Sequence, residues 1–373
     1  MPSKPQFVGE CRRVKLNEIC SKGKSSLRQK DVINDGPYSV YGASGVVGTT
    51  SDYQNEIPYV AVIKDGAGVG RANACEPMTS VLGTMQALIP NPNVERDYLL
   101  YLVRSLRLGD GFSGSTIPHI YFKDYGKIEV PLPSLEVQKR IVSQLGLIEA
   151  QIEQAEAQIT QLDQLVKSRF VEMFGGLSGY ESRALEGCVS VIESGKSPKC
   201  LAKPREGDDP GVLRLSAISS GVYKEAENKA LPSGAKVTDG KMVRDGDILL
   251  ARKNTPELVG QSVLVNHTDG NIMFPDIVFR MRSRPEVDEV YLSHVLAHPL
   301  AGAIKSLAHG SAKSMSNIPK SKLAKLLIPL PPLAFQQEFA AFASQVDKSR
   351  FIARQQIEKL QMLYDKLAQD YFG

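Results

Sequence analysis

The stretch YVAVIKDGAGVGRA (59–72) runs an apolar segment into a glycine loop. Dinucleotide-binding folds use that arrangement to bring backbone amides against a pyrophosphate. Gly66, Gly68 and Gly70 are present, but GxGxxG requires a glycine where Arg71 stands. The loop therefore reads as a tight surface turn, with Lys64 and Arg71 beside its amides; a phosphate contact and a plain turn both fit it. A second candidate, HVLAH, places His294 and His298 four apart, on one face of a helix. Two such histidines can hold a metal, but the glutamate of HExxH is missing between them, so structural or surface histidines are expected and no metal site. The cysteines (Cys11, Cys20, Cys75, Cys188 and Cys200) are scattered, odd in number and form no CxxC pair. That usage predicts a reducing, cytoplasmic setting without zinc. No GxSxG, phosphate-loop, FxGxG or (D/N)PP(Y/F) motif occurs, and no active site can be assembled.

The elements that would carry any site are organised by a repeat. The segment that begins VPLPSLEVQKR at Val130 returns as IPLPPLAFQQE at Ile328. The copies align without a gap over 130–175 and 328–373, with 12 identities in 46 positions. A period this long indicates duplication of a domain-plus-helix unit rather than a solenoid. Each copy opens with prolines, which suit an extended start, and then runs about 40 residues without another, a helix of about 60 Å. The first stripe reads Ile141, Leu145, Ile148, Ile152, Ala155, Ile159, Leu162, Val166. The second reads Phe339, Ala343, Val346, Arg350, Ala353, Ile357, Leu360, Tyr364, Leu367, with Arg350 its polar break. Steps of four and three mark a coiled-coil seam, so the two helices are expected to bury their stripes against each other. The alternative is that each stripe packs on its own globular domain. Phe174-Gly175 and Phe372-Gly373 close the copies, glycine serving as the cap.

A chain of 373 residues with 42% hydrophobic and 23% charged residues is a soluble globular protein of about two domains. It contains no apolar run of membrane-spanning length, and MPSKPQFVGECRRVKL lacks the apolar stretch of a signal peptide. The expected layout is a globular unit at 1–129, a helix at 130–175, a second unit at 176–327 and a helix at 328–373. Both units read as mixed α/β. Strand-like runs include IPYVAVIK, MQALIP, GVLRLSAI, GDILLAR and DIVFRMR; helix candidates are 95–106 and 287–307. VKLNEICSKGKS (14–25) echoes RALEGCVSVIESGKS (183–197), while the middles do not match by eye. Lys and Arg exceed Asp and Glu by 15 to 13 in 1–129 and by 21 to 17 in 176–327, whereas the helical copies carry 4 against 6 and 5 against 5. The net +4 thus belongs to the globular units, a placement that fits a polyanion partner.

Two variable units, each followed by a long helix begun by PLPxLxxQ, resemble the specificity subunit of type I restriction–modification enzymes. VYGASGVVGTTSDY, YVAVIKDGAGVGRA and GDILLAR are similar to segments of that family's target-recognition domains. The resemblance covers nearly the whole chain. It implies a non-catalytic, sequence-specific binder of duplex DNA, with one half of a bipartite site read by each domain. It implies an antiparallel coiled coil that separates the readers and docks methyltransferase subunits, with nuclease–translocase subunits joining for cleavage. No cofactor is expected here; S-adenosylmethionine, ATP and magnesium would belong to the partner subunits. Two alternatives come from other classes: a reader fused to its own nuclease or methyltransferase, and a coiled-coil adaptor without DNA specificity.

Base reading needs donors and acceptors on loops that reach groove edges, and phosphates take any basic group. Candidates in the first unit are Lys22, Lys24, Tyr41, Ser44, Lys64, Arg71, Ser115 and Thr116. In the second they are Lys196, Lys199, Arg214, Ser216, Arg252, Lys253, Asn254, Lys313 and Asn317.

Overall fold

A computed structural model describes residues 11–66, 68–111, 118–175, 177–310 and 315–373. They divide into two compact units: the described residues up to Gln158 together with Ile352–Gly373, and Ile159–Phe351.

The first unit begins with β1 (Arg12–Lys15), α1 (Leu16–Ile19) and β2 (Cys20–Lys22), then β3 (Tyr38–Gly42) and β4 (Gly45–Thr50). β5 (Tyr59–Ile63), β6 (Ala72–Cys75), β7 (Ser80–Val81) and β8 (Met85–Pro90) follow. After α2 (Arg96–Ser105), α3 (Phe122–Tyr125) and β9 (Glu129–Leu132), the chain enters α4 (Leu135–Phe174). One sheet has the order β2-β8-β5-β6 and a second the order β4-β3-β7; β1 pairs with β9. β5 is buried at every position, which is why it shows apolar continuity and no alternation.

The second unit contains β10 (Ser182–Ala184), α5 (Leu185–Cys188), β11 (Val189–Ser194), β12 (Gly211–Leu213), α6 (Ser216–Ser219) and β13 (Asn228–Ala230). It continues with β14 (Ile248–Ala251), β15 (Lys253–Asn254), β16 (Ser262–Leu264), β17 (Ile272–Met273) and β18 (Val278–Ser283). It closes with α7 (Glu289–Ala297), α8 (Ala301–Ser306), β19 (Ser316–Asn317), α9 (Lys320–Ala324) and β20 (Leu327–Pro329), before α10 (Leu333–Phe372). Two sequence expectations are corrected. GVLRLSAI is a three-residue strand followed by a helical turn, and 287–307 is two helices, because Pro299 cannot continue α7.

The second unit repeats the first strand for strand. Its sheets have the orders β11-β18-β14-β16 and β13-β12-β17, with β10 paired to β20. β12 is antiparallel to β13 and parallel to β17, as β3 is to β4 and β7. The middles that share no visible sequence therefore share a topology; α6, β15, α8 and β19 are additions.

PLPxLxxQ locks each long helix to its unit in the same way. Gln138 is fully buried; its side-chain oxygen accepts the Glu95 N–H (2.9 Å), and its amide donates to the carbonyls of Asn93 and Pro133 (both 3.0 Å). Gln336 accepts the Asp288 N–H (3.1 Å) and donates to Pro331 O (2.7 Å). Glu95 and Asp288 are the N-caps of α2 and α7. The Tyr98 and Tyr291 hydroxyls donate to Pro131 O and Pro329 O, both at 2.8 Å. A buried amide with partners on both ends tolerates no apolar substitute, which accounts for the repeated glutamine.

No stripe position of α4 or α10 is exposed. Both helices contribute to both cores. In the first unit Ile141, Leu145 and Phe372 pack with Tyr98, Leu102 and Leu132. In the second, Val166, Phe170 and Phe174 pack with Phe339, Ala343 and Tyr291. The partner order within the second unit runs in opposite directions along the two helices: Arg350 meets Leu162 O (3.3 Å) and Asp163 (2.7 Å), and Arg169 meets Glu338 (2.8 Å). No helix is long and apolar enough to cross a membrane among the described residues.

Candidate nucleic-acid interface

The loop after the third strand of each four-stranded order is built alike in the two units. In the second unit, Gly260 turns the chain back after β14: its N–H donates to Ala251 O, and the Ala251 N–H donates to Gln261 O, both at 2.8 Å. Gly260 has φ +82°, and a Cβ there would stand 2.7 Å from Ile304 Cγ2. In the first unit, the Gly70 N–H donates to Ile63 O and the Ile63 N–H to Arg71 O, again at 2.8 Å. Gly70 has φ +85°, and a Cβ would lie 2.2 Å from Gly109 N. Both glycines are required by a left-handed turn and a close neighbour.

Against this turn a second segment docks in the same register. Ile318 N–H donates to Arg252 O (2.8 Å), and Lys253 pairs with Asn317. Ile120 N–H donates to Lys64 O (3.0 Å), and Asp65 pairs with His119. His119 and Asn317 are 198 residues apart, the offset of the repeat. At the end of the first strand in each order, Lys22 pairs with Leu88 and Ser194 with Phe279, and a Gly-Lys follows each: Gly23-Lys24 and Gly195-Lys196. Each unit thus presents one constructed corner with different side chains on it.

In the first unit that corner holds Lys22, Lys24, Lys64, Asp65, Arg71 and His119. His119 Nδ1 lies 2.7 Å from Asp65 Oδ1, and Lys64 Nζ lies 3.9 Å from Asp65. Lys22 and Lys24 are exposed, the former with its ammonium over the Phe122 ring (5.8 Å). Arg71 is exposed and donates to Gly68 O (3.4 Å). In the glycine loop the N–H groups of Gly66, Val69, Gly70 and Arg71 donate to protein carbonyls.

In the second unit Ser194, Arg252 and Asn317 converge, with Lys253 paired to Asn317 and Lys196 two residues after Ser194. Arg252 donates from Nη1 to Ser194 Oγ (3.0 Å) and from Nε and Nη2 to Asn317 Oδ1 (3.4 and 3.3 Å). Its guanidinium lies over the Phe279 ring, 5.0 Å from the centroid. Asn254 is buried, its side-chain oxygen accepting the Thr255 N–H (2.8 Å). Lys196 lines an open cleft of about 770 Å³ with Ser197, Lys236, Thr238, Asp239 and Asp276.

The other candidates lie elsewhere. Ser44 is exposed at the β3–β4 turn, and Tyr41 flanks a core cluster under the same strand. Arg214 donates to Ala202 O (3.2 Å), and Ser216 to Glu227 (2.7 Å). Lys199 is exposed. Ser115, Thr116 and Lys313 lie outside the described residues. Sequence reasoning missed Ser194, His119 and Phe279; carrying the repeat offset from Asn317 back to 119 would have found the histidine.

His294 is a structural histidine, and His298, 4.5 Å from it between ring centroids, is exposed. His294 packs between the rings of Phe170 and Phe339 (centroids 4.6 and 4.9 Å), and burial holds its imidazole neutral, down to about 3. Among the described residues no group of three or more His, Cys, Asp or Glu could hold a metal ion.

Comparison with known proteins finds relatives of this chain. Residues 10–164 match the family described as the type I restriction modification DNA specificity domain. The chain is 31% identical over 190 residues to the type I restriction enzyme EcoEI specificity subunit of Escherichia coli, covering 48% of this chain and 32% of that protein. It is 22% identical over 253 residues to the EcoKI specificity subunit of Escherichia coli strain K12, covering 63% and 54%. The chain therefore matches about a third to a half of the length of these curated relatives. The crystal structure of a type I restriction–modification system S subunit from M. genitalium shares the fold over 100% of this chain and 99% of that one, with a TM-score of 0.63 at 14% identity.

Proposed function

We propose that the chain is a specificity subunit of a type I restriction–modification enzyme, that it reads duplex DNA for that enzyme and that it is itself non-catalytic. The reading assigns 1–129 and 176–327 as target-recognition domains, each taking one half of a bipartite site. It assigns 130–175 and 328–373 as two helices that pair along their length as an antiparallel coiled coil and space the readers. Methyltransferase subunits dock on that frame and nuclease–translocase subunits join them, in the cytoplasm. S-adenosylmethionine, ATP and magnesium serve on those partners.

One observation carries the reading. The two units repeat a single topology down to the hydrogen bonds of one corner, and at that corner Lys64, Asp65 and His119 are replaced by Arg252, Lys253 and Asn317. A duplicated frame with exchanged polar side chains suits two readers of two half-sites. The outward apolar residues of the long helices, among them Leu147, Val171, Phe335 and Met362, suit protein partners. Selection from random duplexes by the chain assembled with a methyltransferase subunit tests this. Enrichment of two half-sequences at fixed separation is expected; no enrichment, with binding set by salt alone, would overturn it.

A further inference from the structure

We propose that Arg252 reads a guanine in the half-site of the second unit, with Ser194 and Asn317 as the residues that aim it. The inference rests on the DNA-reading function above and deepens it at one residue.

The carriers are charge and geometry. Arg280 and Arg282, on the strand next to β14, are neutralised: Arg280 Nε lies 3.0 Å from Glu193, and Arg282 Nε lies 2.5 Å from the buried Asp247. Arg252 has no carboxylate partner among the described residues. Its acceptors are a hydroxyl and an amide oxygen, so its positive charge is uncompensated. A half-buried, uncompensated guanidinium is costly unless something electronegative arrives.

The way it is held indicates what arrives. A guanidinium carries five N–H groups. Three are engaged: Nε and one on Nη2 by Asn317, and one on Nη1 by Ser194. One N–H on each terminal nitrogen is left, two donors for a ligand that offers two acceptors. Guanine offers such a pair, O6 and N7, in the major groove, and no other base does. The ring of Phe279 beneath the guanidinium and partners on two other strands fix its plane. A phosphate can also take a guanidinium fork, so a phosphate contact is the opposing outcome of the test below. In the first unit the corresponding positions are Lys64, Lys22 and Leu88, which provide neither the fork nor the ring, so this contact belongs to the second unit alone.

The test uses the full chain with its methyltransferase partner and the duplex selected above. Each guanine of the second half-site is replaced in turn by 7-deazaguanine, which removes the N7 acceptor. At one position wild-type binding should weaken about tenfold. At that same position Arg252→Ala should bind both duplexes equally and lose its preference for guanine. Ser194→Ala and Asn317→Ala should lower the preference there and nowhere else, and Ser194→Thr should restore it. Asn317→Asp, which gives the guanidinium a carboxylate, should weaken binding without unfolding the protein. If Arg252→Ala weakens all sequences alike and lowers the salt slope by about one, Arg252 is a phosphate contact and the inference fails while the reading stands. If no guanine position couples to Arg252, the inference fails likewise. A wild-type chain that selects no sequence overturns both.

Discussion

His294 sits where a titration can be felt. Burial is the main cause of its depressed basicity, with His298, Lys167 and Arg350 adding repulsion. The unfolded chain protonates this imidazole near 6.5, whereas the folded chain refuses the proton until about 3. As pH falls through that window the unfolded state binds more protons, so stability drops; as pH rises above 6.5 this loss vanishes. His294→Gln, which cannot titrate, should therefore show a shallower fall of melting temperature between pH 6.5 and 4 than the wild type. Equal slopes would mean that another group governs the acid limb. Gln138 and Gln336 make the complementary prediction. Either glutamine changed to alanine strands an N-cap amide and at least one proline carbonyl, and should cost about 2 kcal/mol in denaturant unfolding. An exposed neighbour such as Gln337→Ala should cost almost nothing.

At the scale of elements, the long helices are buried most firmly where a globular unit covers them, at Leu145 and Phe339, and are half-buried at Ile152, Ile159, Ile357 and Leu360. The stripes pack on the globular units at their ends, and the proposed helix pair would occupy the middle. Ile152→Asp combined with Ile159→Asp puts carboxylates into that middle, each costing about 2 kcal/mol or more. Assembly with methyltransferase subunits, followed by size-exclusion chromatography, should fail before half-site preference changes. Normal assembly with an altered preference would show that the helices are not the frame.

For the molecule as a whole, the proposed division of labour separates what is read from how far apart it is read. Insertion of four residues after Gln158 and four after Gln356 lengthens each helix by about 6 Å and turns its far part slightly, since four residues exceed 3.6. The selected target should keep both half-sequences and change its unread spacer by a base pair or two. Changed half-sequences with an unchanged spacer would put base reading in the helices instead.

What the sequence determined by itself was everything written in short-range patterns. Prolines followed by an uninterrupted stripe of four-three spacing specify a helix start, its length and its buried face, because each depends only on neighbours a turn away. The duplication was legible where the same contacts recur, as in PLPxLxxQ, since a buried glutamine with three partners cannot drift. The shared topology of the middles was not legible. β5 and β14, buried on both faces, need only to be apolar, so their sequences diverge while the sheet orders stay. The candidate interface was hidden for a related reason: Arg252 meets Asn317 across 65 residues and Ser194 across 58, and only sheet pairing closes those distances. Residue types named Arg252 and Asn317 as donors and acceptors; tertiary structure decided that one aims the other.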